Sequence, residues 1–467
     1  MLERKISLVT VCASPEFRFK AGKLLQKMAS DSEALTRDQT SWRWRILIST
    51  YSAYAGFYLT RKVFTICKTP LAKEFNVGLD QIAHIWTAYL VAYMVGQFLC
   101  SWLGRKWGPR ILLLGGLGLS ILINVIFGFA NSYWTFLVFM FFNGLAQAAG
   151  WPGCVGGVAE WLRAKERGRI MGVWATSYQV GSMLVKGIGG YLLAAYSWRY
   201  AFFGCTILSV GIWWLVYFWQ RNKPRDVGLA PIVTTNSEDN RTVRASNDEQ
   251  ISLRQYLHLV FNPVVLIMGV SYFSIKFLRY ALDSWLPTFL NLQGMDVGRA
   301  SYYSGIFDLA GLAGAISAGW ALDRWFRGQW QILCFVMGLG MVAGYLMVVK
   351  FGGNPYMLAI CFGLVGFMIY GPDTILAGAA SVQVAGERNG VVVAGIVNGL
   401  GSLGPVIQEE VIGQLMKGKD FQTAIRNSNL LTLFMSIAFL LTMVVVIWYV
   451  HVAHKKNRVS DAADAGA

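Results

Sequence analysis

The stretch Leu430–Val450, LLTLFMSIAFLLTMVVVIWYV, contains no charged residue, and neither does Ile111–Val138, ILLLGGLGLSILINVIFGFANSYWTFLV. At about 1.5 Å per helical residue, each is long enough to cross a hydrocarbon core of about 30 Å. The remainder of the chain has the same character. Of its 467 residues 55% are hydrophobic and 14% charged, with 50 Gly and 18 Trp. A soluble globular domain carries about a quarter charged residues. This chain cannot cover itself with polar surface, so lipid must be its solvent. The expected fold is an all-α integral membrane protein with twelve transmembrane helices in two six-helix halves.

Apolar runs place the spans at 44–70, 81–103, 111–131, 134–157, 169–196, 199–219, 262–290, 301–322, 330–350, 355–381, 391–416 and 429–451. These boundaries give an N-terminal extension (1–43), a first half (44–220), a linker (221–261), a second half (262–451) and a tail (452–467). The linker holds Pro224, Pro231 and the polar stretch Thr234–Gln250, the composition of a connection rather than a core. Basic residues favour one side. Arg43, Arg45, Arg105, Lys106, Arg110, Arg163, Lys165, Arg167, Arg169, Arg324, Arg327, Arg388, Lys455, Lys456 and Arg458 lie there. The other side receives chiefly Lys68, Lys73, Arg199, Arg299, Lys350 and the Lys417–Arg426 segment. Both termini are therefore expected in the cytoplasm, as an even number of spans requires, and the expected location is a bacterial inner membrane.

The net charge of +16 is spread in short clusters between apolar runs, which suits a membrane topology better than nucleic-acid binding. Seven Cys without paired spacing and four dispersed His indicate neither a disulfide framework nor a metal site. No nucleophile–base motif or phosphate-cradling loop is present, so no enzyme and no cofactor is expected. Gly115–Gly118 reads as close helix packing. Ile6–Val11 is too short for a signal peptide, while Phe17–Met28 (FRFKAGKLLQKM) has the pattern of a basic amphipathic helix or a solvated tail. A monomer in the lipid bilayer is expected.

The two halves repeat a pattern. Tyr54, Tyr58 and Arg61 stand at i, i+4 and i+7 in the first span, and Tyr272, Lys276 and Arg279 at the same spacing in the seventh, so each set shares one helical face. SWLGRK (101–106) after the second span is echoed by GWALDR (319–324) after the eighth. Repeats of this kind put a substrate site near mid-membrane between the halves. Charged groups in spans cost a few kcal/mol each on insertion scales, about 3 at a helix centre, and so mark function or pairing. The candidates are Arg61, Lys62, Lys186, Lys276, Arg279, Asp283, Asp308, Asp373, Glu409 and Glu410. Lys62, Lys186, Asp283, Glu409 and Glu410 serve equally well as salt bridges between helices. Arg61 and Arg279 sit among aromatic and apolar neighbours well inside their spans. Their planar forks suit phosphate oxygens, and one from each half can grip a phosphoryl group from opposite sides.

With YLTRK (58–62), NGLAQAAGWPGC (143–154), ERG (166–168), FLRYALDSWLPTFL (277–290) and YGP (370–372), the chain resembles the organophosphate:phosphate antiporter family of the major facilitator superfamily over nearly the whole transmembrane region. That family includes glycerol-3-phosphate and hexose-phosphate exchangers and related sugar-phosphate sensors. The resemblance implies the major facilitator fold and makes Arg61 and Arg279 the phosphate-binding pair. It places Tyr54, Tyr58, Lys62, Gln147 and Trp174 around the cavity, and Asp308 where the family carries a glutamate. Tyr178 stands where glycerol-phosphate members have a histidine, Gln97 where they have a lysine, and Gly104 replaces an acidic residue. Asp283 is displaced by one residue from the family position. These departures fall on the part of the ligand beyond the phosphoryl group.

Outside that motif, Lys186 and Asp308 lie at similar depths and are expected to pair. Lys276 can add a third positive contact. Glu409 and Glu410 follow GSLGP (401–405) and can titrate or pair with a lysine, and Asp373 after Pro372 is expected at a helix break. The expected function is exchange of an organophosphate (sugar phosphate, glycerol phosphate or phosphoglycerate class) for inorganic phosphate by alternating access. Two arginines in a dewetted cavity resist reorientation unless an anion neutralises them. Five acids against five bases among the candidates also leave proton coupling open. The alternatives are a membrane sensor for a sugar phosphate with little transport, and a proton-coupled transporter of another anion.

Overall fold

A computed structural model describes residues 35–232, 253–377, 379–418 and 420–464. The amphipathic segment Phe17–Met28 and the linker's polar stretch Thr234–Gln250 lie outside the described residues. The first span, Arg37–Ile66, starts at a capping box in which Gln39 N donates to Thr36 Oγ1 (3.2 Å) and Thr36 N donates to Gln39 Oε1 (3.0 Å). Asn262 caps the seventh span, Pro263–Leu292, whose first residue is the proline that needs no partner there. Asp296 accepts from Gly298 N at the start of the eighth span, Val297–Arg324.

Among the described residues seven helices are long and apolar enough to cross a membrane, among them the sixth span (Trp198–Trp219), the ninth (Trp330–Phe351), the tenth (Pro355–Ala377) and the apolar part of the twelfth (Phe421–Tyr449). The other five carry polar groups or breaks. The second and third spans form one helix, Leu79–Phe129, bent where Gly108 adopts φ +80° before Pro109. The loop expected at 104–110 is thus reduced to one left-handed residue, a conformation open to glycine. The fourth span divides into Tyr133–Gln147 and Gly150–Ala159. The fifth divides into Ala164–Trp174, Ser177–Leu184, a π-turn at Val185–Gly189 and Gly190–Ala195. The eleventh consists of Ala379–Gly401 and Leu403–Leu415. The loop expected around Arg388 is therefore helical, as a proline-free stretch permits. The expected break at Pro372 is likewise absent: the tenth span runs through it. Thr374 Oγ1 donates to the carbonyls of Tyr370 and Gly371 in the turn around this proline.

Small residues bring the helices together. A Cβ on Gly144 would lie 2.4 Å from Tyr89 O, and one on Gly314 would lie 2.0 Å from Phe367 O. These contacts clamp the second span to the fourth and the eighth to the tenth. Outward faces carry exposed Leu122, Phe129, Ile207, Phe434 and Trp448, the surface expected of helices solvated by lipid. The named contacts between the halves lie at mid-depth and toward the end away from the termini. There Gly190 in the fifth span meets Ser301 and Gly298 in the eighth.

Candidate functional site

The repeated faces of the first and seventh spans converge through aromatic rings. Arg61 Cζ lies 3.7 Å from the Tyr58 ring centroid and 5.8 Å from that of Tyr93, and Arg61 Nη1 donates to Tyr89 Oη at 3.2 Å. The aromatic faces offer the cation their negative quadrupole, but no carboxylate among the described residues reaches it, and its Nε has no hydrogen-bond partner. Arg279 is placed differently. Its Nη1 lies 2.6 Å from Asp373 Oδ2, and its Cζ lies 5.1, 5.3 and 5.2 Å from the rings of Tyr178, Tyr280 and Tyr370. Tyr58 and Tyr178, both of the first half, have centroids 5.8 Å apart, and Tyr178 reaches Arg279 of the second half, so the two rings join the arginine environments. Tyr178 also stacks on Tyr370 at 6.3 Å.

Among the described residues three buried ion pairs cross between the halves, besides the part-exposed His84–Glu410 pair. Lys62 bonds Asp283, Lys68 bonds Glu409, and Lys186 Nζ lies 2.6 Å from Asp308 Oδ2. The π-turn carries Lys186 toward the eighth span, where Ser182 Oγ (3.0 Å) and Lys186 both donate to Asp308 and Lys186 also reaches Ser304 O. Glu409 accepts from Ser284 Oγ and Trp285 Nε1, each at 2.9 Å, and the Lys68 ammonium lies 3.7 Å from the Trp285 ring centroid. Such pairs hold only when every lone pair and proton is provided for, and the Lys68–Glu409 cluster comes closest to that.

Lys68 corrects the sequence reading, which set it near the end of the first span and counted it among the charges of the side away from the termini. It is wholly buried, one heptad after Arg61, and that spacing was the available signal. Glu410 is corrected too. It bonds His84 Nδ1 at 3.0 Å and keeps 38% of its side chain exposed, so it belongs to an exposed pair rather than a buried lysine partnership. The charge balance changes accordingly. Among the described residues six buried cations (Arg61, Lys62, Lys68, Lys186, Lys276, Arg279) meet four buried carboxylates (Asp283, Asp308, Asp373, Glu409). Four pairs form, leaving Arg61 and Lys276 without one and a surplus of two positive charges.

Lys276 is held by neutral groups, Asn398 Oδ1 at 2.7 Å and Ser402 Oγ at 3.1 Å. Gln147 Nε2 donates to Thr60 Oγ1 (2.8 Å) and Ser120 Oγ (3.1 Å), beneath the arginine face. Tyr54 packs between Trp174 (5.5 Å), Tyr58 (5.6 Å) and Trp151 (5.6 Å), and Trp174 Nε1 donates to Thr50 Oγ1 at 3.1 Å. Trp151 and Tyr89 were not singled out from sequence. Trp86, Tyr89 and Tyr93 stand at i, i+3 and i+7 on the second span, an aromatic face that pattern alone could have revealed.

Comparison with known proteins bears on the family and the fold. The family model of the Major Facilitator Superfamily matches residues 50–408. The chain belongs to the major facilitator superfamily. Relatives of this transporter-fold protein include the membrane sensor protein UhpC of Salmonella typhimurium, 26% identical over 75% of this chain and 81% of that protein. The glycerol-3-phosphate transporter of Bacillus subtilis is also 26% identical, over 78% of this chain and 83% of that one. The glucose-6-phosphate exchanger SLC37A2 of Xenopus laevis is 26% identical over 82% and 89%. Among solved structures, an inward-facing, occupied bacterial homologue of the human lysosomal transporter Spinster aligns with TM-score 0.66 at 13% identity, covering 87% of this chain and 97% of that one. The nucleoside transporter NupG (D323A mutant) aligns at 0.65 and 12%, covering 87% and 99%. This superfamily member is therefore a multi-pass membrane transporter type related to sugar-phosphate and glycerol-phosphate carriers, and not an enzyme.

Proposed function

We propose that this protein exchanges an organophosphate for inorganic phosphate across a bacterial inner membrane, with both termini in the cytoplasm. The observation that carries the reading is Arg61, a buried guanidinium with aromatic faces around it and no carboxylate partner. A phosphoryl oxygen pair matches the donors of that fork. Arg279 approaches the same aromatic bridge from the other half, with Asp373 holding it until the anion arrives. Tyr54, Tyr58, Tyr178 and Trp174 wall the site. Lys62 and Lys186, already bonded to Asp283 and Asp308, tie the halves together rather than contact the ligand.

Exchange follows from the surplus of two buried positive charges. Closing an empty site strips water from uncompensated cations, which raises the barrier to reorientation, and a bound phosphate removes that penalty. The halves then rock about the site, breaking the pairs Lys68–Glu409 and His84–Glu410 on the side away from the termini as that side opens.

The test is uptake of labelled phosphate by liposomes preloaded with phosphate. Rapid exchange that needs internal phosphate and is lost in Arg61→Lys supports the reading. Specific phosphate-ester binding without flux would instead make this a sensor, a reading favoured by its resemblance to a protein named as one. Uptake driven by a pH gradient with no internal phosphate would make it a proton-coupled carrier.

A further inference from the structure

At the end of the molecule where the first span begins, far from the phosphate grip, two arginines converge on one carbonyl. Arg110 stands at the start of the third span, just after the bend at Gly108, and Arg221 lies just beyond the sixth span, Trp198–Trp219. Asn222 joins the two places, since its Oδ1 accepts from Arg110 N at 2.8 Å. Arg110 Nη2 donates to Tyr217 O at 2.9 Å, and Arg221 Nη1 reaches the same oxygen at 3.5 Å and Gln220 O at 2.8 Å. Trp42 of the first span adds a ring centroid 5.6 Å from Arg221 Cζ and 4.8 Å from Arg45 Cζ. Among the described residues no carboxylate forms an ion pair with Arg45, Arg110 or Arg221. Asp226, close in sequence, accepts from the backbone of Asn222 and Lys223.

Capping the sixth helix accounts for one of these cations. Its last carbonyls accept well from an arginine, which also meets the negative end of the helix dipole. A second guanidinium at the same carbonyl adds repulsion: burial, together with the charge of Arg110, lowers the Arg221 pKa from its ordinary value. Donors also remain. Each guanidinium has five, yet the side-chain hydrogen bonds run through Nη2 alone in Arg110 and Nη1 alone in Arg221. An added anion would relieve the repulsion and take up free donors.

Depth says what carries that anion. Both arginines stand at the margin of apolar helices, Lys106–Phe129 and Trp198–Trp219. Arg110 Cζ lies 5.7 Å from the Tyr217 ring centroid, and that ring abuts Trp214 (5.7 Å) and Phe218 (5.4 Å). All three rings are exposed, as aromatic side chains at headgroup level are. We propose that Arg110 and Arg221 hold the headgroup phosphate of an anionic phospholipid, with Trp214 and Phe218 against its acyl chains. The lipid joins the third and sixth spans, with Arg45 of the first adding to the field. All three belong to the first half, so it steadies that half without bridging to the other.

The test is the melting temperature of the purified full-length protein in detergent, titrated with phosphatidylglycerol or with zwitterionic phosphatidylcholine. Phosphatidylglycerol should reach half its effect at about a tenfold lower concentration. Arg110→Gln with Arg221→Gln should erase that difference, and Arg221→Gln alone should cut it to about threefold. Arg324→Gln with Arg327→Gln removes equal charge from the same end of the second half and should leave the difference within about twofold. Should the double site variant fail to fold, Arg221→Gln and the charge-keeping Arg110→Lys with Arg221→Lys, which should retain most of the preference, decide the matter. Equal action of the two lipids on the wild type overturns the proposal. An equal loss from the Arg324 and Arg327 pair also overturns it and marks a general attraction of basic surface for anions. Stabilisation by inorganic phosphate that disappears in the Arg110 and Arg221 double variant overturns it too, making the pair a site for free anions.

Discussion

The two arginines occupy equivalent faces of repeated helices, yet their surroundings differ. Arg279 has a carboxylate at 2.6 Å in its own half, whereas Arg61 has a tyrosine hydroxyl at 3.2 Å and tyrosine rings. The repeated spacing sets the cations at equivalent places, and their neighbours make them unequal. On the proposed reading Arg61 waits for an anion, while Arg279 already has a carboxylate that a ligand must displace. The second half contains its own counter-ion for this cation; among the described residues the first half does not.

This asymmetry can be broken experimentally. Arg61→Gln should have the largest effect on exchange, a loss of about 100-fold or more, since it removes the unpaired fork. Its thermal stability in detergent should stay near wild type, because no partner is stranded. Arg279→Gln should also lose exchange, and in addition should lower stability by about 3–5 kcal/mol by leaving Asp373 buried alone. Arg279→Gln with Asp373→Asn should restore most of the stability without restoring exchange. Equal melting shifts in the two single arginine variants would falsify the claimed difference.

A second test concerns the contacts between the halves. Glu409→Gln leaves Lys68 unpaired and should raise labelling of cysteines introduced on the non-terminal side by about tenfold, as a closed state held by one pair is released. Lys68→Met with Glu409→Met should label closer to wild type; if the double variant opens as far as the single one, the pair does not hold this end shut. Glu410→Gln should have the smallest effect, about 1 kcal/mol or less in stability, because its pair with His84 is half exposed. A loss from Glu410→Gln as large as that from Glu409→Gln would erase the distinction between the buried and exposed pairs.

Much of this was legible in the sequence, for physical reasons. Runs such as Leu430–Val450 announce spans because lipid tolerates few charges, and the repeated i, i+4, i+7 faces announce the arginines. Lys186 and Asp308 could be matched by depth, and the structure sets them 2.6 Å apart. Less legible were features decided by tertiary neighbours. Lys68 stands near the end of its span, where a charge reads as part of the adjoining loop, while its partner Glu409 stands 341 positions away. Pro372 suggested a break, yet the tenth span runs through it. The partner of Arg279 was within the candidate acids, but no spacing rule links Asp373 to it across 94 positions.

Those separations also bear on how the chain is made. Lys62 meets an acid 221 residues later and Lys68 one 341 residues later. At about 5–20 residues per second of synthesis, Lys68 would precede Glu409 by tens of seconds. During that interval the first half must rest in the bilayer with its lysines unneutralised. A chaperone, a lipid phosphate or the insertion machinery itself would then act as a provisional counter-ion. Truncation after the sixth span should therefore yield a product that the cell's membrane quality control removes.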